Sequence, residues 1–93
     1  MLHIDKNRKV HEQITEETWC KGGTTYDKQC MVLWIVSVYG NDAIRFAHYE
    51  RIKTELGYLV DNECYRLKDI YNWNDAPERT FDDILALLRK LDI

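Results

Sequence analysis

Cys20 stands two residues before the pair Gly22-Gly23, with His11 and His48 elsewhere in the chain. A cysteine nucleophile requires a base within hydrogen-bond reach and an oxyanion donor, and a glycine loop can supply backbone N–H groups for the latter. No spacing brings either histidine to Cys20, because a helix over residues 5–19 would hold His11 more than two turns from Trp19. A small half-buried thiol before a turn is the plainer reading, and a minimal cysteine hydrolase is the weakest of the function classes weighed. Cys20, Cys30 and Cys64, with His3, His11 and His48, contain no Cys-x-x-Cys or His-x3-His pair, so zinc-site spacing is absent. Lys21-Gly22-Gly23-Thr24-Thr25 lacks the Gly-x4-Gly-Lys-Ser/Thr of a phosphate loop. No metal and no cofactor is expected.

Two other groups of residues point to recognition rather than catalysis. Trp73-Asn74-Asp75 precedes Ala76-Pro77 and Arg79-Thr80. On a structural reading, Asn74 and Asp75 bond downstream backbone N–H groups and build a turn, Trp73 plugs the core, and Arg79 locks the loop to Asp75 or Asp69. On a functional reading, the same residues make a polar patch around a Trp anchor, the composition that interfaces favour. The candidate binding residues are therefore Trp73, Asn74, Asp75, Arg79, Trp19 and Asp69, and no catalytic residue is named. Asp75 as a general base lacks a paired second group. Arg45, His48, Arg51 and Lys53, interleaved with Phe46 and Tyr49, form the second group. Charge with stacking can bind single-stranded nucleic acid, but Glu50 and Glu55 interrupt the patch and Arg51 with Glu55 makes an ordinary i,i+4 pair.

The elements that must position these residues are legible from punctuation at Gly22-Gly23, Gly40-Asn41-Asp42, Gly57 and 72–77. Val10 and Ile14, with Trp19 beyond, predict an amphipathic helix over about 5–19. Cys30 to Tyr39 is apolar apart from Ser37 and rich in β-branched residues. A strand there would lack an antiparallel partner, so the segment is read as a central buried helix, capped by Asp27 and ended by Gly40. Asp42 caps a third helix through Ile44, Ala47 or His48, Ile52 and Leu56, stopped at Gly57. A fourth runs from about Asn62 to Tyr71 with Cys64, Leu67 and Ile70 or Tyr71 on one face, after Asp61 or Asn62 as cap. Thr80 with Asp83 resembles a capping box, followed by the stripe Phe81, Ile84, Leu85, Leu88 and Leu91. The expectation is an all-α, compact single domain, 1–93, of four to five short helices.

With these segments in hand, the chain resembles a family of short, uncharacterised bacterial and phage proteins, a domain of unknown function. Its signature is Trp-Asn-Asp…Arg-Thr before an amphipathic helix, here Trp73 to Thr80 and then Phe81 to Leu91. A Trp-x-x-Gly (Trp19-Cys20-Lys21-Gly22) and an Asp-containing turn leading to a cysteine (Asp27 to Cys30) extend the likeness over roughly Lys9 to Leu91. The resemblance implies a helical fold and an intracellular setting, sometimes on mobile elements, and assigns no activity.

Charge and composition narrow the partners. Thirteen Lys and Arg against sixteen Asp and Glu leave a net charge of −3 and a pI near 5.5, which disfavours a dedicated nucleic-acid-coating protein. Residues 61–83 carry seven acids against three bases, a face suited to a basic partner or simply to solvent. Met1 to Lys6 holds no apolar signal segment and the longest apolar run is too short to span a bilayer, so a cytoplasmic chain without a membrane partner is expected. Six tyrosines and three tryptophans exceed what a domain of this size can bury fully, and some should sit at the surface as interface material. The reading is a non-catalytic regulatory module that binds a protein with a basic surface. In a phage-type setting it would act as an inhibitor or modulator of a host protein, and a homodimer is the other partner considered. A small nucleic-acid-binding regulator is the alternative.

Overall fold

The computed structural model describes residues 2–40, 43–58 and 67–93. Among them are four α-helices and no strand: α1 (Met31–Tyr39), α2 (Ala43–Leu56), α3 (Lys68–Asp75) and α4 (Phe81–Leu91). The expected all-α architecture is the observed one. The radius of gyration, 12.3 Å, is that of a compact chain of this length.

The apolar segment at 31–39 is the central helix. Met31, Val32, Trp34, Ile35 and Val38 are buried, so packing from several directions overrides the β preference of its branched residues. Val10 and Ile14 from the N-terminal segment join this core, with Tyr49 and Ile52 of α2, Ile70 of α3, and Ile84 and Leu88 of α4. Trp34 directs its indole N–H to the Thr18 carbonyl at 3.0 Å, and the Tyr39 hydroxyl donates to the Ile93 carbonyl at 2.7 Å. The Tyr49 hydroxyl has no hydrogen-bond partner among the described residues, and burial pushes its pKa up to about 12.

α4 has the predicted capping box: Thr80 Oγ1 accepts from Asp83 N–H at 3.3 Å, and Asp83 Oδ2 accepts from Thr80 N–H at 3.1 Å. Its apolar face includes Leu87 as well as the predicted stripe. Asp92 closes the helix in the left-handed region (φ 55°), so that Ile93 N–H reaches back to the Leu88 carbonyl at 2.9 Å and its side chain is buried. α2 ends in the same way at Gly57, where φ is 81° and Tyr58 N–H reaches the Lys53 carbonyl at 2.9 Å.

Four expectations are corrected. The helix over 5–19 is absent, replaced by two 3₁₀ turns, Val10–Glu12 and Glu16–Thr18. Its backbone groups find other partners: Val10 N–H donates to the Ile93 carbonyl, while Gln13 bonds Asp5 N–H and the Asp5 and Arg8 carbonyls. Thr15, β-branched and extended, then breaks the run, with Thr18 Oγ1 accepting from its N–H at 2.9 Å. Asp27 does not cap α1. It is exposed, and Cys30 occupies the N-cap position without a side-chain cap bond. Ile44 is 55 % exposed, because α2 turns Tyr49, Ile52 and Lys53 inward, with Phe46 packed beside them. Finally, Trp73-Asn74-Asp75 is no turn but the last turn of α3, with Asn74 on the buried face one turn after Ile70. Ala76 is extended ahead of Pro77, and the helix stops there. The proposed caps Asp42, Asp61 and Asn62, and the helical placement of Cys64, lie outside the described residues.

The ends of this core respond to acid. Lys9 and then His11, bonded to Asp92, hold its carboxyl below the ordinary carboxylate range, and the Thr80 N–H does the same for Asp83. A depressed folded-state pKa gives stability that is present above the unfolded-state value and lost as pH falls through the folded one. The urea midpoint should therefore be flat near neutrality and drop as pH descends through and below the ordinary carboxylate range. Asp92→Asn should shallow that acid limb, and an unchanged acid slope in the variant would show that this contact contributes nothing.

Candidate functional site

Asn74 is the meeting point of several candidate binding residues. It is fully buried, on the inner face of α3. Its Oδ1 accepts from the Trp19 indole N–H at 2.7 Å and from Met31 N–H, the first backbone donor of α1, at 3.1 Å. Its Nδ2 donates to the Cys20 carbonyl at 3.2 Å and to Asp75 Oδ1 at 2.8 Å. A primary amide has two acceptor and two donor positions, and all four are filled. Asn74 thus caps α1 from another helix, doing what neither Asp27 nor Cys30 does.

The neighbours extend this clasp. Asp75 Oδ1 also accepts from Gly22 N–H at 2.9 Å, and Lys21 Nζ donates to the Pro77 carbonyl at 3.1 Å. Gly22 and Gly23 both have positive φ, 78° and 115°, so the chain can turn there and offer its N–H to a carboxylate. The Arg79 guanidinium lies 4.0 Å from the centre of the Trp73 ring, and its Nε donates to the Trp73 carbonyl at 2.8 Å. Its ion pair, at 3.8 Å, is with Asp83, not with the predicted Asp75 or Asp69. Trp19 packs against Phe81, ring centres 6.2 Å apart. Five of the six candidate binding residues therefore converge. Asp69, half-buried in the first turn of α3, is not among their partners.

The clasp fixes the base of a loop, residues 20–29. Gln29 pairs with Trp19 in parallel on one edge, and the chain around it pairs with Thr24 antiparallel on the other. Gln29 N–H reaches the Thr18 carbonyl at 3.0 Å, Thr25 N–H the Lys28 carbonyl at 2.7 Å, and Cys30 N–H the Gly23 carbonyl at 2.9 Å. At the tip of this braced loop stands Tyr26, 82 % exposed. Surplus aromatics predicted some surface tyrosine. Which one could not be read, because the only local signal is an aromatic residue among Thr24, Thr25, Asp27 and Lys28.

Among the described residues neither His11 nor His48 is bonded to Cys20. Burial pushes the Cys20 thiol up, the reverse of what a nucleophile needs, and its Sγ donates to the Gly23 carbonyl at 3.5 Å. His11 is bonded to Asp92, and His48 contacts Arg51 and the Tyr39 ring. Of the basic residues of α2, Lys53 is only 2 % exposed, Arg51 donates to the Leu91 carbonyl, and the Arg45 guanidinium lies 4.6 Å from the Phe46 ring centre. A groove lined by Glu50, Arg51, Thr54, Glu55 and Leu91 contains none of the candidate binding residues. Among the described residues no group of three or more His, Cys, Asp or Glu side chains could hold a metal ion.

Asn74→Ala should lower the unfolding free energy by about 2–4 kcal/mol, since it strands several buried polar groups at once. Asn74→Asp keeps the acceptor oxygen but sets a second carboxylate against Asp75, so it should also destabilise, and recover in part as acid protonates the new group. Urea titration of both variants at two pH values checks this. A loss below about 0.5 kcal/mol for Asn74→Ala would show the clasp to be dispensable.

Comparison with known proteins returns a family and no individual relative: no curated protein and no solved structure matches the chain. The family model covers residues 5–91 and so includes every residue of the clasp, from Trp19 to Gly22, Met31 and Trp73 to Arg79. The chain belongs to this family, a family of unknown function (DUF6197).

Proposed function

We propose that the protein is a non-catalytic module that binds another protein through the braced loop 20–29, with Tyr26 as its anchor. The observation that carries this reading is Tyr26 itself, an aromatic side chain 82 % exposed on a loop whose backbone is already tied down. Tyrosine brings a large contact area for few rotatable bonds, and a pre-ordered loop avoids an entropic cost on binding. The partner is a protein with a basic surface around an apolar slot. Lys21 and Lys28 outnumber Asp27 within the loop. The acids that would meet a basic partner therefore begin beside its base, with the exposed Glu78 next to Pro77, whose carbonyl Lys21 bonds. In the phage or mobile-element setting that the sequence resemblance implies, that partner is a host protein whose basic site the module occupies. Nothing favours the nucleic-acid alternative, since Lys53, one of its three cations, is buried.

A tagged full-length chain should retain one partner from a nuclease-treated lysate of its source cells, and raised salt should release it. Tyr26→Ala should lose that partner while changing stability by less than about 0.5 kcal/mol, as expected of an exposed side chain. Equal capture by the variant, or capture of no protein, overturns the reading. Sedimentation of the purified chain distinguishes a foreign partner from a second copy.

A further inference from the structure

Cys20 and Cys30 occupy adjacent positions across one short backbone pairing. The parallel bridge between Trp19 and Gln29 is closed by Cys20 N–H donating to the Gln29 carbonyl at 3.3 Å and Gln29 N–H donating to the Thr18 carbonyl at 3.0 Å. One step along the register on each side lie Cys20 and Cys30. Paired backbones run about 4.8 Å apart, and residues in register project to the same face. That separation falls inside the range of roughly 4.4–6.8 Å between Cα atoms that a disulfide spans.

Two further ties hold the pair together. The Gly23 carbonyl accepts both Cys20 Sγ, at 3.5 Å, and Cys30 N–H, at 2.9 Å, which brings the Cys20 sulfur beside the Cys30 backbone. Asn74 takes the Cys20 carbonyl with one end of its amide and Met31 N–H with the other. Both cysteines are free thiols, Cys20 half-buried and Cys30 fully buried.

The geometry points to a redox-modification site, a Cys20–Cys30 disulfide that closes the loop at its base and forms by exchange with a low-molecular-weight disulfide such as oxidised glutathione. The Cys20 thiol loses a proton and attacks one sulfur of the reagent, forming a mixed disulfide and releasing one glutathione thiolate. The deprotonated Cys30 sulfur then attacks Cys20 Sγ, and the second glutathione thiolate leaves. Two thiols are oxidised, one disulfide is reduced, and the two protons pass to the two leaving thiolates. Burial pushes both thiols up, and although the Leu33 and Val32 N–H groups oppose this at Cys30, burial prevails. The exchange is therefore slow at neutral pH and quickens as pH rises. It requires no binding partner and stands apart from the protein-binding reading.

The test incubates the folded, full-length chain with oxidised glutathione at neutral and mildly alkaline pH, then alkylates it in denaturant and maps its peptides. The expected product is a linked pair of peptides containing Cys20 and Cys30, formed faster at the higher pH, reversed by dithiothreitol, with helical circular dichroism unchanged. Cys30→Ser should stop at a glutathione adduct on Cys20. Should that variant not fold, early samples of the unaltered protein should contain the same adduct transiently. Persistence of the adduct with Cys30 still alkylated, two unreacted thiols, or linkage to Cys64 or to another chain overturns the proposal.

Discussion

A single buried carboxamide sets the relation between the parts of this protein. Asn74 has no exposure to solvent, so each of its four hydrogen-bonding positions must be met inside the protein or cost its desolvation energy. The groups that meet them come from the first turn of α1, from Trp19 and Cys20 at the start of the loop, and from the adjacent Asp75. The amide therefore fixes the start of the central helix, the exit of the N-terminal segment and the end of α3 relative to one another. Removing it leaves donors and acceptors on three segments facing protein instead of water.

This accounts for the residues that characterise the chain. Trp19, Cys20 and Gly22, the Met31 that follows the cysteine at 30, and Asn74 with Asp75 are distant in sequence but share one hydrogen-bond network. Arg79 adds a cation over the Trp73 ring and a bond to its carbonyl, holding the approach to α4. These residue types specify the conformation of the loop base, and the loop that the network supports carries Tyr26, 82 % exposed.

How far the sequence discloses this depends on the range of the interactions. α4 is legible because its cap, its apolar stripe and its closing cations all fall between Thr80 and Leu91. The helix at 31–39 is legible by elimination, since a lone apolar strand would have no partner. The N-terminal segment misleads because Val10 and Ile14 have helical spacing, while the partner that decides its conformation, the Ile93 carbonyl, lies at the other end of the chain. Asn74 misleads for the same reason: Asn before Asp-Ala-Pro reads as a turn former, and three of its four actual partners are 43 to 55 residues away. Tyr26 has no periodicity at all, and its prominence follows from pairings on either side of Gln29.

The three indoles stand in three different electrical surroundings. Trp19 is bonded to the Asn74 amide, Trp34 is buried and bonded to a backbone carbonyl, and Trp73 lies under the Arg79 guanidinium. Each ring thus reports one joint of the fold through its own emission: the loop base, the central helix and the entry to α4. The intrinsic fluorescence of the chain sums these three joints, and Trp→Phe substitution at two of the three positions leaves the emission of the remaining one.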